Sequence, residues 1–311
     1  MRIGRIKKIA IGLEKEPGVA VSPTHSIPFL SFSLQEKHTP IADNTARGMR
    51  NLEGSDSVEG KKWGEGSIEV PLDPDTAPYW FALALGKITS ESTTGGFYKH
   101  TIDETKTSQP LTATIETERE VGNYRFLNSV VDKLELNFAD DIAKLSIDVK
   151  SKYPVSGLGT IDLVPLTYYT FKNASVKVDS QEIKVKEFTL TISNNVELIY
   201  YPGSNDVGQI IVKGLSVEGS FSLIFENKNQ LDAFDSLTKK SMEVSFSGSD
   251  GKSIKITIPQ FRVNNWTEGT GLDDISDETI DFVAEYNEDK GKTIGVEVVN
   301  KIETYYNEEE S

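Results

Sequence analysis

Side chains that alternate between apolar and polar along many short runs commit this chain to antiparallel sheet. Leu30, Phe32 and Leu34 flank Ser31 and Ser33, Ile68, Val70 and Leu72 recur at every second position, and so do Leu134, Leu136 and Phe138, then Leu145, Ile147 and Val149. A period of two places each apolar set on one face, and sheets with one buried and one wet face are antiparallel. The second half repeats the habit in Phe188, Leu190 and Ile192, in Phe221, Leu223 and Phe225, in Val244 and Phe246, in Ile254, Ile256 and Ile258, and in Ile294, Val296 and Val298. Such a series predicts an all-β fold of sandwich or barrel type. Two segments read as helices. Asp75 is placed to cap a run through Tyr79, Trp80, Phe81, Leu83 and Leu85 that ends at Gly86. Asn227 or Asn229 is placed to cap a run through Leu231, Phe234 and Leu237, with Lys239 and Lys240 suited to the negative end of the helix dipole.

The two helices hold the same place in the two halves, and an internal repeat joins them. Ile27–Glu36 aligns without a gap on Val185–Asn194, Glu65-Gly66-Ser67 on Glu218-Gly219-Ser220, and Ser146-Ile147-Asp148-Val149 through Tyr153 on Thr279-Ile280-Asp281-Phe282 through Tyr286. With 311 residues the length prior is two domains. The Gly- and Ser-bearing stretch Pro154–Pro165 marks the boundary, giving a first domain over 1–155 and a second over 156–311, each a β-sandwich or barrel with one short flanking helix. Between its first strand and its Gly-bearing strand each half carries a long stretch, His38–Lys62 and Asn195–Gly214, longer than ordinary connections. Arg47, Arg50 and Leu52 in one, and Leu198, Ile199, Tyr200 and Tyr201 in the other, mark these stretches as contact arms. The first half has an extra stretch, Ile88–Pro110, which reads as decoration or as a strap between the domains.

Composition narrows the chemistry. Cysteine is absent, so no disulfide, thiolate metal site or thiol nucleophile is available. The apolar stretch after the basic start is cut short at Glu14, Lys15 and Glu16, unlike a secretion signal, and no run approaches a membrane span; the expectation is a soluble, cytoplasmically made chain. A formal charge of −15 argues against wrapping nucleic acid. His25, His38 and His100 stand in no triad or metal pattern. Gly64-Glu65-Gly66 lacks the third glycine of a dinucleotide loop and runs into a strand. The acidic run Asp273, Asp274, Asp277 and Glu278 lacks EF-hand spacing and reads as a solvated face. The scattered Trp63, Trp80 and Trp266 make no sugar platform, and Trp80 reads as core. Lys184, Lys186, Lys239 and Lys240 make no basic stripe. No catalytic residue, cofactor or metal is expected.

Short motifs in order along nearly the whole chain then carry a resemblance: Ile11-Gly12-Leu13-Glu14 with Pro17-Gly18, Ile27-Pro28-Phe29, Arg47-Gly48, Val58-Glu59-Gly60, Gly64-Glu65-Gly66-Ser67-Ile68, Leu83-Ala84-Leu85-Gly86, Tyr98-Lys99-His100-Thr101, Pro110-Leu111-Thr112, Ile258-Pro259 and Val296-Glu297-Val298-Val299-Asn300. The chain resembles the tail tube proteins of long-tailed bacteriophages, of the type with two tube domains. That resemblance implies a structural virion protein, made in the host cytoplasm, that assembles with itself. Three copies make a pseudo-sixfold ring, rings stack into a hollow tube, other tail proteins meet its ends, and DNA passes through without specific binding. It implies no catalytic residue. Glu135, Asp148 and Asp281 become candidates for an acidic lumen, and the arms at Arg47–Leu52 and Leu198–Tyr201 for bridges between rings. The alternative function is a β-sandwich adhesive or receptor-binding module of a phage tail or cell surface.

Overall fold

The computed structural model describes residues 7–23, 25–42, 57–107, 109, 111–119, 122–139, 141–157, 166–225, 228–269 and 275–306. Among them, antiparallel strands dominate and two α-helices occur, as the alternation predicts. The first half contains β1 (Ile9–Leu13), β2 (His25–Ser26), β3 (Ser31–Phe32), β4 (Gln35–Ala42), β5 (Ser57–Pro71), α1 (Ala77–Leu85), β6 (Gly86–Ser92), β7 (Tyr98–Glu104), β8 (Ala113–Arg119), β9 (Gly122–Phe138), β10 (Lys144–Ser151) and β11 (Val155–Ser156). The second contains β12 (Ala174–Val178), β13 (Gln181–Ile183), β14 (Val185–Ser193), β15 (Val196–Ile199), β16 (Gln209–Val212), β17 (Ser216–Ile224), α2 (Asn229–Ser236), β18 (Lys239–Ser247), β19 (Ser253–Gly269), β20 (Asp277–Ala284) and β21 (Gly295–Asn300).

Both halves follow one hydrogen-bonding path. In the first it runs β2–β1–β8–β9–β10–β5 and on to β3 and β4. In the second it runs β13–β12–β18–β19–β20–β17–β14. The registers coincide as well. Ile68 faces Ile147 as Phe221 faces Ile280. The long strand of each half bulges at the same two points: between Ala113/Ile115 and again at Asp148/Val149 in the first half, between Lys240/Met242 and at Val263/Asn265 in the second. A bulge bends its strand and sharpens its twist, so β9 turns from its pairing with β8 to its pairing with β10, and β19 from its pairing with β18 to its pairing with β20.

Registers also correct the repeat alignment. Phe32 faces Ile68 and Phe188 faces Phe221, which makes Phe32 the counterpart of Phe188. The gapless alignment of Ile27–Glu36 on Val185–Asn194 is therefore two residues out. An even slip keeps each side chain on its own face, which is why hydrophobic pattern alone does not detect it. Leu30, assigned to the apolar face by alternation, is 47 % exposed.

The helices differ more than their shared place suggests. Every residue of α1 is buried, because APYWFALAL has no polar face to offer solvent; it packs against β9, β7 and β6. Its N-cap is Thr76, not Asp75, Pro78 lies in its first turn, and Gly86 at φ +94° closes it as expected. Trp80 is fully buried core. In α2 the N-cap is Lys228, and only Gln230 and Ala233 are buried. Lys240 does not meet the end of the helix with the negative dipole: its Nζ donates to Asn229 O at 3.1 Å and Gln230 Oε1 at 3.0 Å, in the first turn.

Within the extra stretch Ile88–Pro110 lies most of the β6–β7 hairpin, which runs from Gly86 to Glu104, and β7 pairs along β21 from Tyr98↔Asn300 to Asp103↔Gly295. It straps the first half to the last strand of the second. A buried polar network backs the strap. His100 meets Ser90 Oγ at 2.8 Å and Asn300 Oδ1 at 2.9 Å, Asn300 Nδ2 donates to Pro74 O at 2.8 Å, and Tyr305 Oη donates to Asp75 O at 2.9 Å. His25 Nδ1 lies 2.6 Å from Tyr79 Oη. Burial lowers the pKa of both His25 and His100, so their rings are held neutral inside a structural lock.

Candidate assembly surface

The halves meet edge to edge. Strand β14 pairs with β17 on one side and with the end of β9 on the other, with Phe188 opposite Phe138, Leu190 opposite Leu136 and Ile192 opposite Leu134. One sheet therefore runs β4–β5–β10–β9–β14–β17–β20–β19 through both halves. Its inner side at the junction is apolar and closely packed. Phe138 and Phe188 stack at 5.1 Å between ring centroids, Phe246 meets Phe138 edge-on at 5.2 Å, and all three rings are buried. Such aromatic contacts stabilise by about 0.5–1.5 kcal/mol beyond the area they bury.

The other side of this sheet is mainly polar, with Ile224 and Val283 as apolar exceptions. Glu135 lies beside Ser146 and Thr191, Asp148 beside Lys133 and Ser67, and Asp281 beside Ser220 and Asn265. The three candidate acids thus share one face, although they come from three strands. Each has a partner there: Lys133 Nζ lies 2.8 Å from Glu135, Ser67 Oγ donates to Asp148 at 2.5 Å, and Asn265 Nδ2 donates to Asp281 at 3.0 Å.

Two edges of the long sheet stay open among the described residues. At one end, Asn265–Gly269 of β19 pairs with β20 and with no described strand on its other side. At the other end, β3 and the start of β4 pair only with β5. These are the counterparts of the two strands that meet at the internal junction, β9 and β14.

The second-half arm is not a bare loop. Residues Val196–Ile199 and Gln209–Val212 form the β15–β16 hairpin, a pairing that the β-branched Val196, Ile210, Ile211 and Val212 favour. It lies on the first half, where Val196, Val207 and Ile210 bury against Val130, with Trp63, Leu198 and Tyr200 around them. Asn194 Nδ2 donates to Ala84 O and to Val131 O, both at 2.9 Å, and Val196 N donates to Asp132 Oδ1 at 2.7 Å. Lys61 sits over the Tyr200 ring at 4.6 Å. Leu198 and Tyr200 thus engage the chain itself, Ile199 is half-buried, and Tyr201 is 53 % exposed with its hydroxyl on Gln209 Oε1 at 3.0 Å. Arg47, Arg50 and Leu52 of the first-half arm lie outside the described residues. Of the acidic run, Asp273 and Asp274 also lie outside them, while Glu278 is not solvated: it is buried, burial raises its pKa, and it accepts Trp266 Nε1 at 2.7 Å.

Among the described residues no group of three or more His, Asp or Glu side chains is placed to hold a metal ion, and no helix is long and apolar enough to cross a membrane. A twice-built β unit joined to itself by strand pairing, with the same edges left open at its ends, is the build of a structural protein. The family model described as phage tail tube protein matches residues 4–285, and the chain belongs to that family of structural virion tail components. No curated protein matches the chain.

Proposed function

We propose that this protein is the repeating subunit of a hollow phage tail tube. Copies join head to tail into a closed ring, three of them presenting six equivalent units from domains 1–155 and 156–311. Rings stack into a tube with other tail proteins at its ends, and assembly takes place in the host cytoplasm. The observation that carries this reading is the internal junction: β9 and β14 join two like units edge to edge, while the counterpart edges on β19 and β3–β4 stay open. Open edges invite pairing with another chain, and closing a ring satisfies every one of them.

The polar face suits a lumen. Strands with one apolar and one polar side bury the first in their own unit and turn the second to a water-filled channel. Glu135, Asp148 and Asp281 then present carboxylates to passing DNA, and like charge keeps the phosphates from lodging on the wall. The arm residues Leu198 and Tyr200 act within a ring, given their packing on the first half; Tyr201 and the Arg47–Leu52 segment remain as bridges to the next ring. Negative-stain electron microscopy across a concentration series tests the proposal. Hollow rings and stacked tubes are the expected result, and monomers at every concentration, also with the other tail proteins added, refute it.

A further inference from the structure

The duplication carries a residue-level consequence that deepens the tube reading and rests on it. Counting from the shared bulges, Leu134 and Leu136 of β9 correspond to Trp266 and Glu268 of β19. Phe188, Leu190 and Ile192 of β14 correspond to Phe32, Leu34 and Glu36. Arg119, at the end of β8, corresponds to Phe246 at the end of β18, since Ile115 and Met242 hold the same place after their bulges. Three apolar residues of the internal junction are thus replaced at the open edges by charged groups, while Phe32, Leu34 and Trp266 stay apolar. Phe246 becomes Arg119, Ile192 becomes Glu36, and Leu136 becomes Glu268.

These charges complement one another across the edges. Arg119 already holds Glu36, with Nη1 at 2.8 and 3.0 Å from its two carboxylate oxygens, and its guanidinium lies 4.4 Å from the centre of the Tyr124 ring. Glu268 is exposed and stands directly opposite Glu278 on β20. Two carboxylates facing each other across a strand pair are destabilising, and a cation arriving at this edge relieves them.

We propose that the β19 edge of one copy pairs antiparallel with the β3–β4 edge of a second copy, and that Glu268 of the first copy reaches Arg119 of the second. The register follows from the internal one: Asn265 faces Lys37, Thr267 faces Gln35 and Gly269 faces Ser33, as Lys133 faces Ser193, Glu135 faces Thr191 and Asn137 faces Thr189. An ionic contact then holds the chain-to-chain junction one inward-facing position away from the counterpart of the Phe138–Phe246 contact that holds the internal one.

Disulfide mapping reads the register directly, because the chain has no cysteine of its own. Residues facing each other on paired strands fall within the Cα separation a disulfide spans. Under mild oxidation, Gln35→Cys with Thr267→Cys gives covalent dimers and larger species, whereas Gln35→Cys with Asn265→Cys, two residues out of register, gives none. In parallel, Glu268→Lys raises the protein concentration needed for ring formation about tenfold or more, as for charge pairs at interfaces, and Glu268→Gln lies between. Circular dichroism melts of the dilute subunits confirm that each variant is folded. Rings by microscopy without the in-register crosslink overturn the junction and leave the tube reading standing. The crosslink together with an unshifted Glu268→Lys overturns the Arg119 contact alone. Absence of rings in the unmodified protein overturns both.

Discussion

Asp73 makes stability depend on pH in a direction opposite to that of an ordinary carboxylate. It is buried just before α1, where its Oδ1 accepts the Asp75 N–H at 2.9 Å while its Oδ2 has no hydrogen-bond partner among the described residues. Burial, reinforced by the nearby Asp75 and Asp250 charges and opposed by that hydrogen bond and by Lys252, pushes its pKa from 3.8 to about 7. Because the folded value lies above the unfolded one, the folded chain holds a proton between these limits that the unfolded chain has released. Stability is therefore fully present below about pH 4, falls as pH rises, and levels off above about pH 7. At about 1.4 kcal/mol per pH unit, the loss between pH 5 and pH 7 is on the order of 3 kcal/mol. Asp73→Asn keeps the acceptor for the Asp75 N–H and removes the titration. The measurement is denaturant unfolding of the dilute subunit at half-unit steps from pH 5 to pH 8.5. The variant is expected to exceed the parent by roughly 2 kcal/mol near pH 5 and by roughly 4 kcal/mol at pH 8, so that the gap widens by about 2–3 kcal/mol over the range. Contributions of other groups, including His25 and His100 with their opposite sign, cancel in the difference between the two curves. Parallel curves over this range refute the reasoning.

Three further outcomes follow from the fold. Gly66 and Gly219 hold equivalent places in β5 and β17, and an added Cβ falls 2.5 Å from Leu34 Cα in the first case and against Thr189 O and the Phe282 ring in the second; alanine at either site costs about 1–3 kcal/mol or more in chemical unfolding. Glu14 is buried and accepts from Gly18 N, Thr112 Oγ1, Thr114 Oγ1 and Asn128 N at 2.7–3.0 Å. Glu14→Gln sets an amide donor against this cage of donors, and an expected loss of roughly 2–4 kcal/mol appears as a lowered denaturant midpoint. With a net charge of −15, copies repel each other; raising salt from 0.05 to about 0.3 M lowers the concentration for ring formation until screening of the Arg119–Glu268 contact offsets the gain, which light scattering against salt records as an optimum.

The all-β class, the buried Trp80 helix closed by Gly86, and the repeat were legible because each rests on a local rule: period two, an unbroken apolar run, and a glycine free to take φ +94°. Alternation also fixes the face that Glu135, Asp148 and Asp281 share, while the lumen assigned to that face is part of the proposal. Register was not legible. A slip of two residues leaves every face unchanged, so only the observed pairing of Phe32 with Ile68 and of Phe188 with Phe221 assigns Phe32 to Phe188. The open edges depend on that assignment and were invisible without it. Long-range pairings were equally hidden: nothing local to Tyr98–Glu104 says that it joins Gly295–Asn300. Glu278 went wrong because its solvation depends on Trp266, brought to it by strand pairing from twelve positions away.

In the proposed ring, the reason why the like junctions carry unlike residues lies in how each one forms. The internal junction closes within one chain, where the covalent link holds β9 and β14 at high effective concentration. Its apolar residues Leu136, Phe138, Phe188 and Phe246 are covered as soon as the chain folds. The edges on β19 and β3–β4 have to remain in water from the end of folding until a neighbour arrives. A Leu on β19 at the place of Glu268, and a Phe at the end of β8 at the place of Arg119, beside the β3–β4 edge, would offer apolar surface to any other chain, the arrangement from which aggregation starts. Charge at these positions keeps the free subunit dispersed; Arg119 is held meanwhile by Glu36, and Glu268 finds its opposite only when the partner edge docks in register. A contact made in this way forms more weakly and reversibly than the aromatic one inside the chain. Misplaced subunits can then leave before a ring closes, while the many edges of a stacked tube supply the cohesion that a single junction lacks.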